Sequence, residues 1–182
     1  MVLVAFASLD GSAVLIVSCA IFGGALIFAY SSSTLYHAIT NEKAKQIFRQ
    51  LDHASIYLLI AGTYTPVVLV SIGGSWGWTI FFIIWTTALV GVALKFIYPH
   101  RLKKLSVGLY IIMGWFAVVA AKELMQGIDS GGLWLLLIGG LFYTTGVIFY
   151  ARKSLPYNHV IWHLFVLAGS ISHYFMVLLY II

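Results

Sequence analysis

The chain predicts an all-α membrane protein, a polytopic transmembrane helix bundle with six complete spans. Three observations carry this. Of its 182 residues, 62% are hydrophobic and only 8% charged, with a mean hydropathy of +1.03. A soluble domain carries about 25% charged residues. The apolar residues fall into runs close to the roughly 20 residues that cross a bilayer. The basic residues sit in the short connections between those runs, where they set topology. The net charge of +5 is therefore no nucleic-acid signal. The single cysteine, Cys19, lies inside an apolar run. It excludes an intrachain disulfide and a thiolate zinc cluster, and reads as a small packing residue.

Met1 to Phe6 is an apolar stub, too short to span. It has no basic start and no clear cleavage site, so it does not read as a signal peptide. Residues 1–8 are expected to be the remnant of an earlier helix. The first complete span covers about 11–38. Gly23, Gly24 and Ala25 permit close helix contact within it, and it ends on Ser31-Ser32-Ser33-Thr34-Leu35-Tyr36-His37. A basic loop over 41–50, with Lys43, Lys45 and Arg49, leads to the second span, about 51–72. That span begins with Asp52-His53, and Pro66 predicts a kink, because proline lacks the backbone donor and crowds the preceding turn. Further spans are expected over about 78–97, 106–124, 133–151 and 158–182. No soluble domain, low-complexity segment or internal repeat is visible.

The five connections read basic, neutral, basic, acidic, basic. Every Lys and Arg except Lys122 falls on one side, which the positive-inside rule makes cytoplasmic. Both ends of the six-span unit then face outside. An additional first helix would give seven spans with the N-terminus inside.

This topology sorts the polar residues by depth. His37 lies within a turn of the cytoplasmic end of its span, and Ser33 one turn deeper on the same face. Asp52 lies just inside the cytoplasmic end of the second span. His159 and His163, four residues apart, share one face of the last helix near the same surface. All five fall within roughly 10 Å of that surface, and they come from three helices. Ionisable residues within spans are functional candidates by default. Three neutral imidazoles on a divalent ion leave a fourth position for water, as in catalytic zinc sites. The ion lowers the pKa of that water to about 7. A carboxylate is then needed to hold the water or shuttle its proton; Asp52 is the acid at this depth. Ser33 could donate to the water or to a developing oxyanion.

Each residue also has a plain reading. His37 alone would be an interfacial histidine, and Asp52 alone an N-cap or first-turn acid of its helix. His53 points about 100° away from Asp52 and reads as interfacial or supporting. His173 lies about 15 Å deeper than His163 and cannot share its ion. It is either a buried, hydrogen-bonded histidine, the favoured reading, or part of a cavity wall. His100 sits in a basic loop and is expected to be solvated. The tyrosines and tryptophans are belt and packing residues.

Ser33-x-x-x-His37, Asp52 at the start of the next helix, and His159-x-x-x-His163 in the last one resemble the haemolysin III family. So do the stretches Ser33 to Ala38, Asp52 to Pro66 and Tyr157 to His163. That family is the bacterial branch of the progestin and adipoQ receptor proteins. They are grouped with alkaline ceramidases in a superfamily of seven-span membrane hydrolases. The resemblance covers nearly the whole chain. It implies zinc held by His37, His159 and His163, with Asp52 and Ser33 around the bound water. It also implies cleavage of a lipid amide such as a ceramide, and a bacterial inner-membrane location. The haemolysin name implies a lytic effect. Family members usually begin with a longer segment that has acidic residues and a His-Gly-containing start to the first helix; the resemblance implies that residues 1–8 are the remnant of that span.

Three functions compete. The first is an intramembrane zinc hydrolase acting on a membrane lipid from the cytoplasmic leaflet. The second is a receptor or sensor with structural zinc. The third is a channel, transporter or lytic protein, against which stands the scarcity of ionisable residues in the outer halves of the helices.

Overall fold

The computed structural model describes residues 2–98 and 102–182. Among them the regular structure is entirely helical. Six helices are long and apolar enough to cross a membrane: Ala13–Ala38, Glu42–Ile72, Gly74–Ile97, Lys104–Gly127, Ser130–Ala151 and Asn158–Tyr180. The chain separates into two compact units, Met1–Met113 and Gly114–Ile182.

In the first unit the N-terminal stub is helical, as α1 (Val2–Asp10). Leu3 and Ala7, one turn apart, are buried. Gly11, with φ +75°, ends it, and Ser12 caps α2 (Ala13–Ala38) by accepting from the Leu15 amide. The next helix departs from expectation. The segment 41–50 is not a loop: α3 runs Glu42–Pro66, capped by Asn41, whose side chain accepts from the Ala44 amide at 3.1 Å. Its first turns are charged and of good helix-forming type, so they continue the span outward instead of interrupting the helix. Asp52 is therefore neither N-cap nor first-turn residue; it lies more than two turns into α3.

α3 is the centre of this unit. Its apolar window is 61% buried, against 28% for α2 and for α4. At Pro66 the α-helix gives way to a π-helical stretch, Val67–Ile72, in which the Gly73 amide reaches the Val68 carbonyl. The missing proline donor thus changes the hydrogen-bond register rather than only bending the rod. Gly73 and Gly74, both at positive φ, turn the chain into α4 (Gly74–Ile97). Trp85 of α4 donates to the Thr65 hydroxyl at 3.1 Å. α5 (Lys103–Gly114) follows. Its Tyr110 stands edge-on to Tyr57, ring centroids 4.5 Å apart. The Tyr110 hydroxyl donates to the His53 carbonyl at 2.7 Å.

The run over 106–124 is not one continuous helix. α5 stops at Gly114, Trp115 adopts a turn conformation, and a 3₁₀ segment (Phe116–Ala120) precedes α6 (Ala121–Gly127). The Trp115 indole donates to Thr144 of α7 at 2.9 Å. An indole N–H in an apolar setting must find a partner, and that requirement outweighs a regular helix here.

The second unit is built on the antiparallel pair α7 (Ser130–Ala151) and α8 (Asn158–Tyr180). Gly132, Gly139 and Gly146, seven apart, are the buried residues of α7. They face Tyr180, His173 and the Trp162–Phe165 pair of α8. Polar cross-links sit among them. Tyr143 and Ser170 hydroxyls are 2.8 Å apart, and Ser172 donates to the Leu135 carbonyl at 2.7 Å. Small residues bring the helices close, and side-chain hydrogen bonds between them satisfy polar groups within the pair.

Candidate functional site

His37 occupies the last turn of α2 and is exposed, its ring 4.7 Å from that of Tyr36. Ser33, one turn earlier, is half-buried. Its neighbour Ser32 is buried and spends its hydroxyl on the Phe28 carbonyl at 2.6 Å.

Asp52, on α3, is only 15% exposed. His53 beside it turns Nδ1 back onto its own helix and donates to the Arg49 carbonyl at 2.6 Å. A carbonyl can only accept, so this bond places the ring proton on Nδ1 and leaves the lone pair on Nε2. The same Nδ1 is 3.9 Å from Asp52 Oδ2. His53 is thus a neighbour that borders the carboxylate rather than a solvated residue.

The second unit supplies the imidazole pair. His159 and His163 stand on successive turns of α8, half-buried. Their rings are perpendicular, with centroids 4.5 Å apart, and their Nε2 atoms converge to 3.0 Å. Two nitrogen lone pairs cannot face each other at that distance unless a proton or a cation lies between them. Zinc sits about 2.0–2.1 Å from an imidazole nitrogen, so both Nε2 atoms can reach one ion. The donor set fits a divalent cation. Tyr150, at the end of α7, lies against this pair, 6.2 Å from His159 and 5.4 Å from Trp162 between ring centroids. The chain enters α8 through Tyr157 at φ +57°, a left-handed conformation that costs a non-glycine residue about 1 kcal/mol or more. That turn stands two residues before His159.

His173 is buried on Gly139 and donates from Nε2 to the Leu136 carbonyl at 3.1 Å. It is the buried, hydrogen-bonded histidine, joined to α7 rather than to the His159–His163 pair. Cys19 is fully buried as a free thiol. His100 lies outside the described residues. One residue went unnoticed in the sequence: Lys95, within the apolar end of α4, is only 8% exposed. The signal was there, a lysine inside Val92-Ala93-Leu94-Lys95-Phe96-Ile97. The sequence alone marks it only as one of the basic residues that set sidedness.

Six apolar helices, with ionisable side chains gathered near helix ends and one convergent histidine pair, define a multi-pass membrane protein with a polar site. Comparison with known proteins makes this specific. The profile of the family described as "Haemolysin-III related" matches residues 1–174, and the chain belongs to that family. "Hemolysin-3" of Bacillus cereus is 45% identical over 181 residues, covering 100% of this chain and 83% of the relative. "Hemolysin-3 homolog" of Bacillus subtilis (strain 168) is 45% identical over 178 residues, 98% of this chain and 84% of the relative. "Monocyte to macrophage differentiation factor" of Homo sapiens is 28% identical over 167 residues, 88% of this chain and 69% of the relative.

Proposed function

We propose that this protein is a zinc-dependent intramembrane hydrolase that cleaves an amide, or a related bond, in a ceramide-like lipid from the cytoplasmic side of the bacterial inner membrane. The observation that carries the proposal is the 3.0 Å convergence of His159 Nε2 and His163 Nε2. In this reading His37 joins His159 and His163 as the third ligand, as the family resemblance implies. Their positions at helix ends suit a lipid bond near the headgroup, with a short path for water.

A divalent ion held there would supply Lewis acidity and make hydroxide available near neutral pH. The chain's own residues then have distinct tasks. The histidines remain neutral and offer nitrogen lone pairs. Asp52 accepts a proton from water and passes it to the departing amine. Ser33 donates to the carbonyl oxygen as negative charge builds on it. Water adds to the carbonyl carbon, the C–N bond breaks, and the products are a fatty acid and a long-chain amine.

The names of the Bacillus relatives favour a second reading, a lytic membrane protein. A receptor with structural zinc is the third. Metal analysis of purified protein comes first: one zinc per chain in the wild type, and at least a tenfold weaker hold in His163→Ala. Asp52→Ala should keep the metal and lose ceramide turnover in vesicles by about 10²-fold or more. Wild-type protein that retains no zinc sinks the proposal. Dye release from vesicles without lipid cleavage would favour the lytic reading.

A further inference from the structure

Beyond the His159–His163 pair, the second unit holds one more imidazole, about 15 Å along α8 from His163. His173 is only 7% exposed. Its Nε2 donates to the Leu136 carbonyl, so the neutral ring carries its proton there and keeps a lone pair on Nδ1. The Cδ2 and Nε2 atoms are those set against Gly139, which leaves Nδ1 on the other side of the ring. Among the described residues, no protein donor reaches that atom. A buried acceptor left without a bond costs about 1–3 kcal/mol, and a lipid tail has no donor to relieve it. Nothing in the chemistry proposed above uses this atom.

A polar pair stands at the same level. Ser170, 4% exposed, lies three residues before His173 on the same face of α8. Its hydroxyl is 2.8 Å from that of Tyr143 on α7, whose ring centroid is 5.5 Å from the imidazole. Gly139 and Gly169, one from each helix, seat these two rings: a Cβ at the first would meet the imidazole, and at the second the phenol. The bond between the two hydroxyls uses one proton, and a hydroxyl oxygen can accept a second bond as well as donate. A buried water needs about two to four polar partners. Nδ1 and this hydroxyl pair supply them.

We propose that the α7–α8 pair binds a resident water at this level: the water donates to His173 Nδ1 and is held from its other side by the Tyr143–Ser170 hydroxyls. Water is the donor of the right size, because Nδ1 is sealed from the exterior and a lipid hydroxyl would bring its chain with it. The water adds a polar cross-link between α7 and α8, beside the bonds of Ser172 and His173 to the Leu135 and Leu136 carbonyls. It is independent of the hydrolase reading.

Nitrogen NMR of the full chain in nanodiscs tests this. His173 is the one histidine preceded by serine, so labelling serine carbonyl carbon and histidine nitrogen identifies it without a substitution. The expected spectrum has the ring proton on Nε2, a bare Nδ1, and magnetisation passing from water protons to Nδ1. Tyr143→Phe combined with Ser170→Ala should cut that transfer by about half or more, while Nε2 keeps its bond to Leu136. Where the double variant does not fold, Ser170→Ala alone is read in the same way. A proton on Nδ1, transfer from lipid or protein hydroxyl protons in place of water, or no transfer at all overturns the assignment. So does transfer that is unchanged in the folded variant.

Discussion

The two units of this protein solve the same problem differently. Each must hold polar side chains at fixed positions in an apolar medium. The first does it by enclosure: α3 is packed along most of its length, and Asp52 sits on that crowded helix beside His53. The second does it by register. α7 and α8 meet along a glycine stripe, and hydrogen bonds from Tyr143, Ser172 and His173 pin one helix to the other. Its histidine pair uses the i, i+4 spacing of one helix, which sets both rings on one face with their nitrogens 3.0 Å apart. Polar groups set by packing respond to changes of volume. Polar groups set by helical spacing respond to changes in the ring atoms themselves.

This contrast can be broken at two glycines. Gly139→Ala is expected to be the more damaging. Its Cβ would fall on the His173 ring at the atoms that bond Leu136. The loss combines overpacking with a broken hydrogen bond inside an apolar unit, about 2–4 kcal/mol. In a chain of this size that is a fall of very roughly 5–15 °C in the unfolding midpoint. Gly91→Ala pushes the Tyr57 ring instead, with no hydrogen-bonded imidazole at stake, and should cost about 1–3 kcal/mol. Equal midpoints for the two variants would abolish the distinction between enclosure and register.

A smaller change sharpens the account of α3. Asn41→Ala removes the cap that starts the helix ten residues ahead of the apolar run. It should cost about 1 kcal/mol, and amide exchange should rise over residues 42–46 while Asp52 keeps its protection. Fast exchange reaching Asp52 would mean that the capped extension, not the packed core of α3, holds the carboxylate in place.

Much of this was legible before any coordinates. Composition and run length gave an all-helical membrane protein with six long apolar helices, and the motifs gave the haemolysin III resemblance that the family match bears out. The His159–His163 convergence was legible too, because i, i+4 geometry is local and survives any tertiary context. The start of α3 was misplaced because hydropathy detects the apolar part of a helix, not its charged extension; the Asn41 cap is visible as a residue but ambiguous as a signal. The broken helix at Trp115 was invisible, since its cause is a hydroxyl 29 residues away.

What the residues alone determined is whatever depends on neighbours along the chain: apolar length, the spacing of two imidazoles, a proline's missing donor. Only the folded structure decided that Lys95 is enclosed, that His53 turns its proton to Arg49, and that His173 belongs to α7. These depend on which helix lies alongside. Burial and hydrogen-bond partnership are set by atoms distant in sequence, and a one-dimensional pattern does not contain them.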